Sequence, residues 1–425
     1  MAQGSISGCK ACVLPPLAIM LQPCSGMVSA VVATALGRAA RGTFRVPRSR
    51  GFARRVDGYL HYYGMMKNQE GMLRDSVRVE AYRAALMAAA QQLQGATVMD
   101  IGTGSGILAF LAAKQGARRV YAVEASPEMA RLASRLARAN GLAGVVEVVP
   151  KHLEDIGDDE IAPGSVDVII SELFSHFLVG EVGLQVVTIA KQRFLRPGGL
   201  VLPAAAQLRL SPFEDKALGA ELRARHSFWH QRDFYGLDLS AALPLAEEQV
   251  LRQNVIDLVD PATLLVAPAE APGTELDLAG ADDPDAWRHI SFDVPFPPFA
   301  RDAVVDGVCG WWDVIFEGAG TGPAPVLSTG PQAPPTVWAQ CRFLLDRPLA
   351  VSATARLTAR CELRVNQARE SYTLRLEMQN HSTGRASRAG PVELSNVHAR
   401  HLAVPRSSPT EEGRHSMPVS HPLSL

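Results

Sequence analysis

A glycine-rich segment and a later acidic residue are the first parts of this chain whose types and spacing could do chemistry. The segment reads Asp100-Ile101-Gly102-Thr103-Gly104-Ser105-Gly106 and follows an apolar run at 97–101. Glycines at the end of a strand let a ligand approach the backbone beside the next helix. Glu124 lies 18 residues after Gly106, where its carboxylate could accept hydrogen bonds from ribose hydroxyls. Because the GxGxG spacing differs from the dinucleotide GxGxxG, the segment alone leaves the ligand open.

Two glutamates form the second candidate site. Glu172 and Glu181 are nine residues apart and follow a buried-type apolar run at 166–170. Two carboxylates on one loop could hold a cationic group between them. In an arbitrary sequence such a pair is more often simply solvated. Here the pair follows a strand of an α/β pattern, and the carboxyl ends of such strands are where ligands bind.

The elements that must position these residues alternate between strand and helix. Strands are predicted at 97–101, 119–124, 145–149 and 166–170, with helices at 108–114 and 129–139 between them. Strands separated by helices of this length predict a parallel, doubly wound, Rossmann-like sheet of the α/β class. The turn at 196–199 and Pro203 should close this unit, which we place at residues 57–203.

Residues 204–403 have a different texture. Alternating segments such as 357–365 and 372–378 are separated by Pro/Gly-rich loops, which predicts an antiparallel β domain. A helical, aromatic segment at about 213–254 interrupts it. The tail 404–425 is rich in Ser, Pro and His, and we expect it to be disordered.

Composition excludes some classes of partner. The formal net charge of -1 gives no overall attraction to nucleic acid or to an anionic membrane. No stretch reaches the roughly 18 apolar residues of a membrane span. Six cysteines are too sparse for a disulfide scaffold, and the lone pair Cys9 and Cys12 is a weak metal signal. No metal site is predicted.

Residues 1–56 are treated separately because they contain no Asp or Glu, yet carry Lys10 and seven arginines between positions 38 and 55. An acid-free, Arg-rich leader is typical of an organelle transit peptide. A disordered basic extension, or a working start at Met27, explains the composition equally well. Neither alternative contributes to the fold.

Four stretches in order resemble the protein arginine methyltransferase family. They are Tyr59 to Gly64 with Met72 to Arg78, Asp100 to Leu108, Glu172 to Glu181, and Pro335-Thr336-Val337-Trp338. The first looks like the family's YFxxY helix and M-x-x-D-x-V-R signature, the third like its double-glutamate loop, and the fourth like its Thr-His-Trp loop. Ser227-Phe228-Trp229, 235–240 and 311–314 are similar to the coactivator-associated, histone-modifying type I branch. The likeness covers roughly residues 57–403.

This resemblance implies S-adenosyl-L-methionine as the cofactor. Arg78 would pair with the cofactor carboxylate, Glu124 would hold the ribose, and Glu154 would accept from the adenine amino group. Guanidinium geometry suits the first of these roles. The full set of cofactor residues that the resemblance implies is Tyr59, Gln69, Met72, Arg78, Asp100, Gly102, Gly104, Gly106, Glu124 and Glu154.

The resemblance also assigns chemistry to the glutamate pair. Glu172 and Glu181 would grip the guanidinium of a substrate arginine, align it, and draw positive charge away from the attacking nitrogen. Tyr63 and Trp338 would line the substrate site. Three departures stand out: Val337 occupies the family's histidine position, residues 173–177 differ from the Pro-Met-Gly-Tyr-Met of the nearest branch, and Val186 stands where that branch has a hydroxyl. His176 is one candidate to replace the missing histidine, and a merely solvated loop histidine is the other.

The implied activity is methylation of arginine in proteins, with histones as the analogy. Met72 favours asymmetric dimethylarginine, whereas crowding by Phe174 would favour monomethylation only. The segment at 213–254 corresponds to the family's dimerisation arm, which implies a homodimer acting in the nucleus and cytoplasm, or in an organelle if residues 1–56 are a transit peptide. Rival interpretations are a catalytically weak cofactor-binding scaffold, a small-molecule methyltransferase and a nicotinamide oxidoreductase.

Overall fold

The computed structural model describes residues 60–268, 271–320, 322–367, 370–394 and 400–401. The predictions for residues 1–56, for Tyr59 and for the tail 404–425 lie outside these residues. All the described residues belong to one unit of the chain, Arg48–Leu425.

A five-stranded parallel sheet occupies the first half of the described chain. Its strands are β1 Thr97–Ile101, β2 Arg119–Val123, β3 Val146–Val149, β4 Val166–Ser171 and β5 Leu195–Leu202, in the order β3-β2-β1-β4-β5. Every position of β1 is buried, as expected of a strand covered on both faces. This order confirms the predicted doubly wound α/β class. The carboxyl ends of β1, β2 and β4 meet at one edge, where Gly102, Glu124 and Glu172 follow them.

The expected turn at 196–199 lies inside β5. The register against β4 jumps from Val166↔Leu195 to Val168↔Leu200, so the residues between bulge out of the ladder. Gly198 takes a left-handed φ of 71° there, which glycine adopts without steric cost.

Helices cover the parallel sheet. Residues 60–64 are helical. The following helices are α1 Met66–Arg74, α2 Ser76–Ala88, α3 Ala90–Leu93, α4 Ile107–Lys114, α5 Pro127–Ala139 and α6 Gly183–Phe194. Asp75 caps the start of α2 by accepting from the Arg78 N–H, and Ser126 caps α5 in the same way. No helix among the described residues combines the length and the apolar character that crossing a membrane requires.

Two further sheets follow Pro203. The strands of the seven-stranded sheet are β6 Ala205–Phe213, β7 Val255–Asp257, β8 Glu275–Asp277, β10 Ala303–Ile315, β11 Val326–Ser328, β12 Gln340–Val351 and β16 Arg400–His401. Those of the four-stranded sheet are β9 His289–Pro295, β13 Leu357–Val365, β14 Tyr372–Asn380 and β15 Arg385–Glu393. All pairings are antiparallel except β7 with β16. The Ser387 hydroxyl joins the sheets by donating to the Arg347 carbonyl, 2.6 Å away.

The segment between β6 and β7 leaves the seven-stranded sheet. It contains α7 Lys216–Ser227, α8 Leu243–Ala246 and short 3-10 and π turns. The buried Arg342 of β12 forms ion pairs with Asp215, which precedes α7, and with Asp257, which follows the segment. A buried guanidinium between two carboxylates therefore ties both roots of the segment to one strand.

Candidate active site

The glycine segment forms a loop in which the backbone N–H groups of Gly102, Thr103 and Gly104 are bonded within the protein. Gly102 N and Thr103 N donate to the Val123 carbonyl at 2.9 and 3.0 Å. Gly104 N donates to Glu124 Oε2 at 2.8 Å. Gly102 and Gly104 have φ values of 72° and 56°, a left-handed region that favours glycine. These three N–H groups are thus already bonded, and one of their acceptors is the Glu124 carboxylate.

Two buried carboxylates stabilise this loop. Asp100 Oδ2 accepts from the Thr103 hydroxyl at 2.6 Å and from Ala109 N at 3.0 Å. Burial raises the pKa of Asp100 to about 7. Glu124 accepts from Gly104 N and from Ser126 N, and burial raises its pKa as well. Asp100 is therefore bonded within the loop, whereas Glu124 lies at the strand end where a ribose was predicted.

The first helices lie over the loop. A Cβ added to Gly104 would stand 3.2 Å from Gln69 Oε1, so the Gln69 amide covers that glycine. Gln69 Nε2 donates to the Tyr63 carbonyl at 3.0 Å. Met72 is half-buried, and its carbonyl accepts from Arg78 Nε at 3.3 Å. Glu154 is exposed on a single 3-10 turn after β3.

The guanidinium of Arg78 lies directly on Glu172. The two side chains form a buried ion pair, with exposed side-chain fractions of 8% and 11%. Burial raises the pKa of Glu172, and the Arg78 charge partly opposes that rise. Burial alone would lower the pKa of Arg78, but the Glu172 carboxylate raises it overall. The structure thus joins two residues that sequence reasoning had assigned to different ligands.

The double-glutamate loop, residues 172–181, folds back on itself. Ser175 and Leu178 exchange two backbone hydrogen bonds of 3.0 Å, and Leu178 takes a φ of 55°. Gly180 N donates to the Ser175 hydroxyl at 2.6 Å. Glu181 is half-buried, and its backbone forms an isolated β-bridge with Ser371, directly before β14. Both glutamates are therefore held at fixed places on a compact loop.

Two tryptophans of the β domain hold this loop. Trp338 Nε1 donates to the Phe174 carbonyl and Trp312 Nε1 donates to the Ser175 carbonyl, both at 3.0 Å. Their rings meet edge to face with centroids 4.7 Å apart. Trp338 is only 5% exposed, so its indole contacts the loop from the protein interior. The Phe174 ring is also buried and packs near Trp312, with centroids 5.4 Å apart.

Asp75 is a site residue that sequence reasoning missed. Its Oδ1 accepts from Arg78 N at 2.9 Å, and its Oδ2 accepts from Val337 N at 2.8 Å. It therefore ties the start of α2 to the segment that carries Trp338. An aspartate directly before a helix is an N-cap signal that could have indicated the first bond, but not the second.

A general methyltransferase domain matches residues 98–199, the parallel-sheet part of the chain. The model described as the arginine methyltransferase oligomerization subdomain matches residues 204–383. The chain belongs to the protein arginine methyltransferase family. This confirms the resemblance seen in the sequence.

Relatives with curated names agree with this placement. The chain is 34% identical over 364 residues to the probable histone-arginine methyltransferase 1.4 of Arabidopsis thaliana, covering 83% of this chain and 66% of that protein. It is also 34% identical over 351 residues to the histone-arginine methyltransferase CARMER of Anopheles gambiae, covering 83% of this chain and 54% of that protein. The chain thus spans somewhat less than two thirds of the length of these relatives.

Solved structures share the fold. The structure of Arabidopsis thaliana protein arginine methyltransferase 10 matches with a TM-score of 0.68 and 28% identity, covering 78% of this chain and 99% of that one. The Trypanosoma brucei PRMT1 enzyme-prozyme heterotetrameric complex with AdoHcy matches with a TM-score of 0.64 and 25% identity, covering 77% and 99%.

Proposed function

We propose that this protein transfers methyl groups from S-adenosylmethionine to the guanidino nitrogens of arginine residues in proteins. The observation that carries the proposal is the buried ion pair of Arg78 and Glu172. Glu172 already accommodates a guanidinium in a site that excludes water. A substrate arginine is the same chemical group.

The loop chemistry supports a cationic nucleoside cofactor over a dinucleotide. A pyrophosphate needs open backbone N–H groups, but those of Gly102, Thr103 and Gly104 are bonded within the protein. Three carboxylates lie close together at the same edge. Burial is the largest cause of the raised pKa of Asp100, and the negative charges of Glu124 and Glu172 raise it further. Such an edge repels phosphate and favours a sulfonium. When bound, S-adenosylmethionine supplies the activated methyl group.

This chain's residues then divide the work. Glu124 would accept from the ribose hydroxyls, since each of its oxygens retains acceptor capacity beyond one backbone bond. Arg78 would hold the cofactor carboxylate while keeping its ion pair with Glu172, so that one guanidinium contacts both carboxylates. Tyr59, Gln69, Met72 and Glu154 complete the cofactor set by family resemblance, whereas Asp100 stabilises the loop.

Glu172 and Glu181 would hold the substrate guanidinium and fix its line of attack. Because the arginine side chain stays charged at any accessible pH, its nitrogen needs nearby carboxylates to become nucleophilic in place. Tyr63, predicted as a substrate contact, lies in the helical segment 60–64, and its carbonyl accepts from Gln69. Trp338, predicted as a substrate contact, supports the carbonyl of Phe174 and would act through the loop.

We infer asymmetric dimethylarginine as the main product. The monomethylation alternative needs Phe174 to crowd the nitrogen, but that ring is buried against Trp312. Met72, which favours asymmetric dimethylation in the family, is half-buried beside Arg78. The burial of this ring therefore favours the dimethylated product over the monomethylated one.

The arm and the relatives' names support a homodimer that acts on histone-like proteins in the nucleus. The segment at 213–254 exposes Tyr235 by 92% and Leu237 by 64%, and stacks Phe228, Phe234 and Tyr235 edge to face. Apolar residues so exposed suit an anchor on a partner subunit. We accordingly assign residues 57–203 to the cofactor domain and 204–403 to the substrate domain with its arm.

The test is product analysis. The purified protein is incubated with labelled S-adenosylmethionine, mixed histones and an Arg/Gly-rich peptide, and the methylated arginines are separated after hydrolysis. Asymmetric dimethylarginine is the expected product. Monomethylarginine alone would overturn the product assignment. Cofactor binding without methyl transfer would mean that the protein is a cofactor-binding scaffold and not an enzyme.

A further inference from the structure

His176 joins the double-glutamate loop to the segment Val337–Trp338. Its Nδ1 lies 2.5 Å from the carbonyl oxygen of Trp338, across 162 residues of sequence. A carbonyl oxygen only accepts, so Nδ1 must carry the proton and donate. His176 is half-buried at the tip of the turn between Ser175 and Leu178. The contact is therefore a defined hydrogen bond, unlike that of a solvated loop histidine.

The bond runs opposite to the two indole bonds. Trp338 and Trp312 donate into the loop at the carbonyls of Phe174 and Ser175. His176 donates out of the loop to Trp338. Trp338 thus donates to Phe174 and accepts from His176. Two bonds of opposite direction therefore hold the same turn in place.

The same segment is bonded on its other side. Val337 N donates to Asp75 Oδ2 at the start of α2, where Asp75 also caps Arg78. A continuous path of hydrogen bonds therefore leads from the helix over the cofactor loop, through Val337 and Trp338, to the loop between the two glutamates. Val337 contributes only its backbone, because its side chain has no polar group and is 41% exposed.

We propose that His176 is a positioning residue that locks the double-glutamate loop onto the Val337–Trp338 segment. It supplies, from the opposite loop, a polar side-chain contact to a segment whose own Val337 side chain has no polar group. The hydrogen bond thereby restrains the loop that carries Glu172 and Glu181, the two residues proposed to hold the substrate guanidinium. This inference rests on the proposed arginine methyl transfer, and small misplacements of reacting groups are costly.

Two variants test whether the N–H donor of His176 matters or only the presence of a ring at this position. His176→Asn keeps an N–H donor near the place of Nδ1, whereas His176→Phe keeps a ring and removes the donor. His381→Phe is the matched control, since His381 is an exposed histidine whose ring bonds the Thr358 hydroxyl, away from the double-glutamate loop. The measurements are kcat, the dissociation constant of S-adenosylhomocysteine, and hydrogen–deuterium exchange of peptides covering residues 172–181 and 336–339.

His176→Phe should lower kcat about tenfold, leave the S-adenosylhomocysteine dissociation constant within twofold, and speed exchange in both peptides. His176→Asn should restore kcat to within about threefold of the unmodified protein and restore the protection. A kcat within twofold in His176→Phe, or equal losses in the Phe and Asn variants, would overturn the lock. If the unmodified protein transfers no methyl group yet exchange responds as expected, the proposed function fails while the lock stands.

Discussion

The two halves of the candidate site are assembled in opposite ways. On the cofactor side, Glu124 bonds Gly104 across 20 residues, and Asp100 bonds Thr103 and Ala109 within nine. On the substrate side, Arg78 meets Glu172 across 94 residues and Asp75 meets Val337 across 262. On the cofactor side the contacts join residues that are close in sequence and go mainly to backbone N–H groups. On the substrate side, side chains connect segments that are distant in sequence. Binding of the cofactor should therefore withstand changes that abolish transfer.

The largest expected effect is on the substrate side. Glu172→Gln keeps the shape of the side chain but removes the charge that faces the guanidinium. We expect kcat to fall about 100-fold or more, as when a preorganised electrostatic contact is lost. Calorimetry with S-adenosylhomocysteine should show a dissociation constant within about fivefold. A parallel loss of cofactor affinity would mean that Glu172 also serves the cofactor, directly or through its ion pair with Arg78, and would erase the contrast between the two sides.

The reciprocal change on the cofactor side is Glu124→Gln. The amide retains one acceptor but loses the charge that suits two ribose hydroxyls and two backbone N–H groups. The S-adenosylhomocysteine dissociation constant should rise about tenfold, or roughly 1.4 kcal/mol. At saturating cofactor, kcat should change little. Unaltered affinity in the titration would remove Glu124 from the ribose site.

A smaller effect is expected for Trp338→Phe, which removes the indole N–H and keeps an aromatic ring. The Phe174 carbonyl loses its donor, and kcat should fall about fivefold, close to the roughly 1 kcal/mol of a typical hydrogen bond. Trp311→Phe serves as the control. Trp311 is adjacent to Trp312 in β10 but packs in the cluster that contains Phe213, away from the double-glutamate loop. Equal kcat losses in the two variants would indicate general destabilisation.

The last expected effect, on the cofactor side, is on stability rather than on transfer or binding. The folded pKa of Asp100 is about 7, well above its value of about 3.9 in an unfolded chain. Between these values the folded state keeps a proton that the unfolded state releases, so the free energy of unfolding should decline as pH rises from 4 toward 7. Asp100→Asn retains an acceptor and should flatten this decline. Denaturant titrations from pH 5 to 8 would contradict the assignment if both proteins showed the same slope.

This contrast also explains what could be predicted from the sequence. The glycine loop and Glu124 were visible because their partners lie within one βαβ unit, and spacing alone carries such information. The contacts of Asp75 with Val337 and of Trp312 with the Ser175 carbonyl were not visible, since they join elements whose packing depends on the whole fold. Family resemblance supplied Glu172, Glu181 and Trp338, but it could not indicate that Trp338 would be turned toward the loop.

The bulge in β5 illustrates the same limit at the level of the fold. Arg196-Pro197-Gly198-Gly199 has the composition of a turn, yet flanking residues on both sides pair with β4. Local turn chemistry was identified correctly, while the strand that contains it was set by long-range pairing.

The central claim is that Glu172 and Glu181 form a site for a guanidinium rather than for any cation. The most direct test is transfer of labelled methyl from S-adenosylmethionine to an Arg/Gly-rich peptide and to the same peptide with lysine at every arginine. The account predicts label in the arginine peptide and background in the lysine peptide. Comparable labelling of both, or none in the arginine peptide by a protein that binds S-adenosylhomocysteine, would contradict it.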